Sequence, residues 1–263
     1  MAGLCDNKRL ANMNKETSHS ADIILIGSGL SNCLIAHYLR LKNPSLQILV
    51  FEKAEEMPPA RTWSFHGSDL GHEASVILPL ASRSWAGYQV RFPKFQRKLT
   101  GTYASIRPQD LQHHIKNLLG ESLHFGAAVK SASATEVQLA NGQTYSAPCV
   151  IDGRGPSAPQ SEVGYQKFLG LHVLLEQPHH LETPVLMDNA IPQTDGFRFM
   201  YCLPWGPREL LIEDTYYSGD PSLDLEKLKA QILTYAQKQG WEVEQILSQE
   251  SMAIPIPFSM QEY

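Results

Sequence analysis

Residues 22–52 read DIILIGSGLSNCLIAHYLRLKNPSLQILVFE, in which two short apolar runs enclose a glycine turn and an amphipathic stretch. The pattern predicts strands over 22–26 and 47–51 and a helix over 30–41. Four apolar side chains at helical spacing form the predicted inner face of this helix: Leu30, Leu34, Tyr38 and Leu41. Such a βαβ unit with a glycine turn is typical of Rossmann-type dinucleotide-binding domains in the α/β class.

The glycine turn has the composition of a phosphate-binding site. Gly27 can adopt a positive φ, and Gly29 leaves room for a pyrophosphate to approach the backbone. The N–H groups of Ser28 and Leu30 belong to the same turn and helix N-terminus, and we expect them to take part in cofactor binding. Glu52 ends the second strand, where a carboxylate accepts hydrogen bonds from a ribose 2′-OH. Since it would repel a 2′-phosphate, the site favours FAD or NAD over NADP.

Asn32 stands where the full dinucleotide motif has its third glycine. Packing of the helix against the strand must therefore accommodate a larger side chain. A purely structural glycine turn is the alternative to a cofactor site.

Composition narrows the function classes. The chain has 263 residues, 43% apolar and 19% charged, with a net charge of -5. It is long enough for one large domain or two small ones. Its acidic balance, without Lys/Arg clusters, argues against nucleic acid as a partner, and no apolar run approaches the ~20 residues needed to span a bilayer. The sequence gives no indication of oligomeric state.

Cysteine usage and the N-terminus indicate the compartment. Four scattered cysteines without a C-x-x-C motif favour a reduced, cytoplasmic chain. Residues 1–20 are polar and lack the apolar core of a signal peptide, so we expect a disordered lead-in. Neither His113–His114 nor His179–His180 has metal-ligand spacing, and we expect no metal site.

A second cofactor-edge pattern follows residue 148. Cys149, Val150 and Ile151 predict a buried strand that ends in Asp152, Gly153, Arg154 and Gly155. An acid and glycines at the carboxyl end of a parallel strand are expected at the cofactor edge of the sheet. We therefore predict a dinucleotide-binding domain over 21–164, which binds FAD or NAD and has an excursion over 53–147, and a second domain over 165–263.

The excursion begins with a stretch that has no periodicity. Residues 53–71 predict a loop at the ligand-binding edge. Its side chains Trp63, Phe65 and His66 either line the substrate site or pin the loop to the core. Further along, the pattern predicts a strand over 87–93 that pairs with 97–105, and a helix that opens at Pro108.

The remaining patterns complete the element predictions. A meander over 127–146 turns at Asn141-Gly142. Four longer strands are expected in a mostly antiparallel second sheet, over 167–175, 184–187, 197–203 and 209–216. Asp220 is predicted to cap a final helix with Pro221 at its first position, and Gly240 to end it.

Two adjacent acids interrupt the last of these strands. Glu213 and Asp214 lie within ELLIEDTYY, and neighbouring strand residues point to opposite faces. Glu213 shares a face with Leu211 and Thr215, so only one acid can face a pocket directly. Both acids are catalytic candidates, and Asp214 could instead bind Arg198. The alternative is that both are structural charges.

Six motifs in one order resemble the amino-terminal two thirds of the bacterial, FAD-dependent lycopene cyclases. They are DIILIGSGLSNCLIAHYL from Asp22, TWSFH at 62–66, YQVRFP at 88–93, VIDGRG at 150–155, Met187-Asp188, and LLIEDT at 210–215. The resemblance implies a glutathione-reductase-like FAD/NAD(P)-binding fold with an antiparallel β-sheet substrate layer.

The resemblance also implies a reaction. Lycopene, or a related acyclic carotenoid, is cyclised to β-ionone rings without net redox change, with reduced FAD as cofactor and NAD(P)H as electron source. Proton addition to an alkene requires a desolvated, protonated acid, and the resemblance favours Glu213 in that role. The negative charge of reduced flavin, ~4 Å from a cation, is worth roughly 4 kcal/mol at an effective dielectric constant of 20. Because the substrate dissolves in lipid, we expect peripheral contact with the inner membrane of a bacterium.

Two departures from the family pattern qualify these expectations. Arg61 stands where the family has a histidine before Thr-Trp. A third cofactor segment, expected in this architecture, is absent before Tyr263, so we expect a truncated chain. There are two alternatives. The chain is either another flavoprotein monooxygenase or reductase that acts on an isoprenoid, or a non-catalytic fragment.

Overall fold

The computed structural model describes residues 19–57, 61–155 and 163–258, so the lead-in predicted over 1–20 falls almost entirely outside the described residues. In chain order the elements are β1 (His19–Ser20), β2 (Ile23–Ile26), α1 (Leu30–Lys42), β3 (Ile48–Phe51), β4 (Trp63–His66), α2 (Ala74–Ile77), β5 (Arg83–Phe92), β6 (Phe95–Ile106), α3 (Pro108–Leu119), β7 (Leu123–His124), β8 (Val129–Ala132), β9 (Glu136–Leu139), β10 (Thr144–Ser146), β11 (Val150–Asp152), β12 (Val163–Leu175), β13 (Val185–Asp188), β14 (Phe197–Pro204), β15 (Glu209–Ser218), α4 (Leu225–Lys238) and β16 (Val243–Pro257).

The chain divides into two compact units, with boundaries after residues 59, 110 and 155. The first unit holds a four-stranded parallel sheet in the order β11-β2-β3-β7. Its central strands are short and almost wholly apolar, as expected of strands buried on both faces. The predicted βαβ unit is confirmed, and the bounds of both strands and the helix differ from the predicted ones by one residue.

The buried face of α1 differs from the predicted one. The side chains that α1 buries are Asn32, Cys33, Ala36 and His37. Leu41 is 56% exposed, so the predicted leucine stripe is wrong. Small residues such as Cys33 and Ala36 let the helix approach the sheet closely, which a row of leucines would prevent.

A small second sheet covers one face of the parallel sheet. It has the order β1-β10-β9-β8 and packs Val137, Leu139 and Tyr145 against Ile24 and Ile26. The predicted meander is confirmed, with Gly142 at φ +92° in its turn. Cys149, predicted to be buried, is exposed, because it precedes β11 at the rim of the sheet.

The second unit is built on an eight-stranded sheet in the order β16-β12-β15-β14-β13-β5-β6-β4. All its pairs are antiparallel except β13 with β5. The predicted mostly antiparallel sheet is therefore confirmed. One face packs Leu171, Met200 and Ile212 against Leu228 and Ile232 of α4.

The start of α4 corrects the prediction. The N-cap is Asp224, whose carboxylate accepts the Lys227 N–H, whereas Asp220 accepts hydrogen bonds from Ser222 in the preceding turn. The predicted Asp220 cap is wrong because an Asp-Pro-Ser turn satisfies the same side chain locally. The helix ends at Lys238, and Gly240 follows at φ +76°, which agrees with the predicted end.

Three strands lie where the sequence predicts none, and the first is β1 at the end of the predicted lead-in. β4 occupies part of the predicted loop and pairs with β6, and β16 pairs along the whole of β12. β16 includes Pro255 and Pro257, as tolerated on an edge strand. Among the described residues, no helix combines the length and apolarity that a membrane crossing requires.

Candidate functional site

The glycine turn between β2 and α1 adopts the geometry that the sequence predicts. Gly27 lies at φ +89° and donates its N–H to the Phe51 carbonyl at 2.8 Å. Gly29 is the N-cap of α1, and a Cβ on Gly29 would have the Gly153 oxygen, 4.0 Å away, as its nearest neighbour. This open space beside a helix N-terminus fits a phosphate group.

Glu52 is buried beside the turn. Its Oε2 accepts hydrogen bonds from the Ser28 N–H at 2.8 Å and the Ser28 hydroxyl at 2.7 Å, and Oε1 accepts the Ala54 N–H. Burial opposes the charge, but these donors together hold the pKa of Glu52 below its usual range. A charged carboxylate at this strand end has the acceptor capacity that a ribose hydroxyl requires.

The Asn32 side chain stabilises the glycine turn through two hydrogen bonds. Its amide nitrogen donates to the carbonyls of Ile26 at 2.9 Å and Gly27 at 2.8 Å. A Cβ on Gly153 would lie 2.4 Å from that nitrogen, so Gly153 provides the space that the third glycine of the motif would otherwise leave. The Asn32 Oδ1 is buried and has no hydrogen-bond partner among the described residues.

The structure brings the DGRG segment next to this turn. β11 pairs in parallel with β2, so that Asp152 lies opposite Ile26, and the Gly153 N–H donates to the Ile26 carbonyl at 2.9 Å. Asp152 is exposed and forms an ion pair with Arg154 at 2.5 Å. The hydrogen bonds that the Arg154 side chain donates to Asp152 hold the pKa of Asp152 below its usual range. Gly155 lies at φ +80°. The two predicted cofactor segments are therefore neighbours, and their residues fit a dinucleotide.

We predict that Gly27→Ala weakens FAD binding by about tenfold. A side chain in the left-handed region costs about 1–2 kcal/mol, and about 1.4 kcal/mol of lost binding energy corresponds to a factor of ten. Titration followed by flavin fluorescence measures the dissociation constant. Gly142→Ala is the matched control, because Gly142 lies at φ +92° in the β9–β10 turn with no atom within 4 Å of its Cβ position. Equal affinities for both variants would contradict a role for the Gly27 turn.

In the second unit, Glu213 lies on the sheet face opposite α4. It pairs in register with Tyr201 on β14 and Gly170 on β12, and its Oε1 accepts a hydrogen bond from the Thr215 hydroxyl at 2.6 Å. Burial raises the pKa of Glu213 to about 8. The negative charges of Glu250 and Asp214 add to this rise, while the Thr215 hydroxyl and Arg61 oppose it. Glu213 is therefore protonated at neutral pH.

Asp214 points to the opposite face, as strand alternation predicts. It is fully buried, and its two oxygens accept hydrogen bonds from Arg198 Nε and Nη2, each at 2.7 Å. This is the Arg198 pairing that the sequence left open. A carboxylate held by a guanidinium in the core has little capacity to exchange protons with a substrate.

Hydroxyl and aromatic groups surround Glu213. The Tyr201 and Tyr103 hydroxyls lie 2.7 Å apart, and the His66 ring lies 4.9 Å from the Tyr103 ring. Because 63–66 is a strand and not the predicted loop, its side chains alternate. His66 lies with these aromatic residues, whereas Trp63 and Phe65 point to the other face. The three predicted substrate-lining residues are therefore not brought together.

Glu250 is a site residue for which the sequence gives no signal, because it stands in a polar stretch without alternation. Its Oε2 accepts the Thr62 N–H at 2.7 Å and lies 3.3 Å from the Thr62 hydroxyl. Burial raises the pKa of Glu250, while Thr62 and Arg61 favour its charged form. Arg61, noted for replacing a histidine, therefore acts on both carboxyl groups, Glu213 and Glu250.

Solved structures support the fold. The chain is similar to a geranylgeranyl bacteriochlorophyll reductase-like protein from Thermoplasma acidophilum, with a TM-score of 0.65 at 12% identity over 92% of this chain and 69% of that one. It is also similar to Klebsiella pneumoniae HpxO, solved with FAD, with a TM-score of 0.62 at 15% identity over 89% and 69%. The predicted α/β fold of FAD-binding, Rossmann-type proteins with a substrate-layer sheet is confirmed.

Sequence comparison identifies the family. The chain is 40% identical to the lycopene beta-cyclase of Pantoea ananas over 240 residues, which are 90% of this chain and 63% of that protein. It is 40% identical to the lycopene beta-cyclase of Pseudescherichia vulneris over 89% and 61%. The chain thus spans less than two thirds of these relatives. The family sequence model described as "Lycopene cyclase protein" matches residues 22–261. The chain therefore belongs to the lycopene cyclase family.

Proposed function

We propose that this protein cyclises the ends of lycopene, or of a related acyclic carotenoid, to β-ionone rings in a non-redox reaction that requires reduced FAD. The observation that carries the proposal is the position of Glu213, a carboxyl group on an aromatic sheet face where burial raises its pKa to about 8. The relatives named as lycopene beta-cyclases supply the substrate and the ring type.

The reaction needs three events, and the residues offer groups for them. An electron-rich alkene takes a proton, the resulting cation closes the ring, and a different proton leaves. Glu213 is the proton donor, because an alkene is a weak base and needs an acid that is desolvated and still protonated. Asp214 has no part in these steps in our proposal, since Arg198 binds both its oxygens.

Aromatic side chains on the same face suit a long apolar substrate. Phe197, Phe199 and Tyr201 alternate along β14, and Phe199 and Tyr201 lie opposite Thr215 and Glu213 in register. The Phe197 and Phe199 rings are 5.9 Å apart. Aromatic faces stabilise a passing cation by about 0.5–2 kcal/mol each, and they exclude water that would capture it.

The dinucleotide segments of the first unit would hold FAD. Glu52 would accept the ribose hydroxyls, and the glycine turn at Gly27–Gly29 would receive the pyrophosphate beside the N-terminus of α1. When bound and reduced, FAD supplies an electron-rich anion that stabilises positive charge in the substrate. NAD(P)H is the proposed electron source.

Peripheral contact of a cytoplasmic protein with the inner bacterial membrane is part of the proposal, because the substrate is dissolved in lipid. Exposed apolar side chains at one end of the large sheet support it: Phe197, Tyr217, Ile256 and Phe258. Apolar side chains of this kind anchor proteins at lipid interfaces. Co-sedimentation with phospholipid vesicles tests this contact.

The reaction is tested by incubating the protein with FAD, NADPH under anaerobic conditions, and lycopene in detergent micelles. We expect a cyclised product of unchanged mass, and no product when FAD stays oxidised. A product that gains oxygen in air, or gains two hydrogens, would instead indicate a monooxygenase or a reductase. A protein that takes up no FAD and leaves lycopene unchanged would be a non-catalytic fragment.

A further inference from the structure

Glu213 and Glu250 lie on either side of one glycine. Gly170 on β12 pairs in register with Glu213 on β15 and with Glu250 on β16. The three positions therefore form one row across the sheet, and all three side-chain directions point to the same face. The backbones of the two glutamates are two strand spacings apart, roughly 9–10 Å.

The absence of a side chain at Gly170 leaves room for the Glu250 and Leu211 side chains, and a Cβ there would lie 3.2 Å from Leu211 Cδ1. A Cβ on Gly170 would lie 3.2 Å from Glu250 Cγ and 3.6 Å from Glu250 Oε1. The Glu250 side chain thus extends over Gly170 toward the Glu213 strand. A side chain at position 170 would crowd Glu250 and Leu211.

Each glutamate has one oxygen fixed and one oxygen available. Thr215 donates to Glu213 Oε1, and Thr62 donates to Glu250 Oε2. Within the parts of the chain that the structure describes, no hydrogen bond to Glu213 Oε2 or Glu250 Oε1 is formed. The arrangement fixes the direction of both side chains while leaving a proton-exchanging atom on each.

We propose that Glu250 is a second catalytic residue, the base that removes the proton from the ring-closed cation after Glu213 has added one to the alkene. This inference rests on the proposed cyclisation. It assigns the two proton transfers to two carboxyl groups across Gly170 instead of to one.

The proton and electron balance closes within the pair. Glu213 gives its proton to an alkene carbon, and the electron pair of a second alkene forms the new carbon–carbon bond. A C–H bond next to the cation then breaks, its electrons form the ring double bond, and its proton goes to Glu250. Glu213 is left charged and Glu250 protonated, and transfer of that proton back to Glu213 restores both.

The surroundings of each carboxyl group suit these opposite roles. Burial raises the pKa of Glu250, and the Thr62 N–H and the Arg61 charge oppose that rise and favour its ionised form. The ionised form of Glu250 in turn raises the pKa of Glu213, so the base keeps the acid protonated. Other ionisable groups near Glu213 are Tyr103 and Tyr201, whose pKa values burial raises, so both hydroxyls stay neutral.

The test compares Glu250→Gln with Glu213→Gln in lycopene turnover with reduced FAD in deuterium oxide. Glutamine at 250 can still accept the Thr62 N–H but cannot take a proton. We expect Glu250→Gln to lower ring formation about 10²–10⁴-fold, while recovered lycopene gains deuterium from reversible protonation. Glu213→Gln should show neither ring formation nor deuterium uptake. Glu244→Gln, on the same strand but exposed and paired with Arg208, should behave as the parent.

Two outcomes would overturn the inference. Ring formation by Glu250→Gln at the parent rate would remove Glu250 from the reaction and leave the proposed function intact. An equal loss of ring formation and of deuterium uptake would show that Glu250 only positions Thr62. Absence of ring formation in the parent protein would refute the proposed function itself.

A second variant covers the case in which Glu250→Gln does not fold. Glu250→Ala opens space at the site, and sodium formate at 0.1–1 M supplies a carboxylate of similar basicity. We expect formate to raise the rate of ring formation by Glu250→Ala at least about tenfold, and to leave the rate of Glu213→Gln unchanged. A folded Glu250→Ala protein that formate does not rescue would contradict the assignment.

Discussion

Replacement of Glu213 by glutamine is expected to lower lycopene cyclisation by about 10²–10⁴-fold, the usual contribution of a general acid. Glutamine has the same shape and can still accept the Thr215 hydroxyl, so the loss reports the proton and not the packing. The rate of product formation at pH 7 with reduced FAD measures it. FAD affinity should stay unchanged, because the predicted cofactor segments belong to the other compact unit.

The parent protein should also lose activity as the pH rises through about 8, where Glu213 gives up its proton. Stability follows the same titration. Because the folded pKa lies above the unfolded value of 4.5, the folded state binds more protons between these two values, and stability falls as the pH rises through this window. Glu213→Gln removes this penalty, so it should exceed the parent by at least about 1 kcal/mol at pH 8 in urea unfolding. A variant with parental turnover would exclude Glu213 as the acid.

The elements that the sequence predicts well are those whose cause is local. The strand, glycine turn and helix from 22 to 42 follow from periodicity and from one residue, Gly27, that must take a positive φ. The hairpin of β5 and β6 and the turn at Gly142 are local in the same sense. The face that α1 buries does not follow from local sequence. It depends on how closely the helix packs against the sheet, and close packing favours the small residues Cys33 and Ala36 over the leucines.

The elements that the sequence misses depend on distant partners. β4 alternates apolar and polar residues over only four positions, too few to indicate a strand alone, and it becomes a strand through its pairing with β6. β16 has a polar centre at 248–251 and two prolines near its end, and it pairs with β12, whose own partner on the other side is β15. No pattern within residues 243–257 indicates that partner.

The residues of the candidate site show the same difference between local and distant causes. Strand alternation is enough to place Glu213 and Asp214 on opposite faces and to suggest Arg198 as the partner of Asp214. The row formed by Glu213, Gly170 and Glu250 requires the register of three strands. The loop predicted over 53–71 is wrong at 63–66 for a related reason. Pairing with β6 makes these residues a strand, so Trp63 and Phe65 point to the face opposite His66.

Arg198→Ala is expected to destabilise the protein by about 3–5 kcal/mol, because it leaves the Asp214 carboxylate buried without a countercharge. The pair is almost inaccessible to solvent and bidentate, and Arg198 also donates to the Pro192 carbonyl at 3.1 Å. Burial alone already raises the pKa of Asp214, and Arg198 opposes that rise. In the variant the pKa rises further, so the loss of stability should grow as the pH increases above about 4. Urea unfolding at pH 4 and pH 8 measures both effects.

Two further variants separate buried charge from lost packing. Arg208→Ala breaks an exposed pair with Glu244 and should cost less than about 1 kcal/mol. The double variant Arg198→Met with Asp214→Leu removes both buried charges and should recover most of the stability that Arg198→Ala loses. If the double variant were as unstable as Arg198→Ala, the cause would lie in the lost contacts of Arg198 with Pro192 and the Tyr216 ring. Recovery of stability together with retained cyclisation would place the function of Asp214 in the fold, and leave Glu213 to act on the substrate without it.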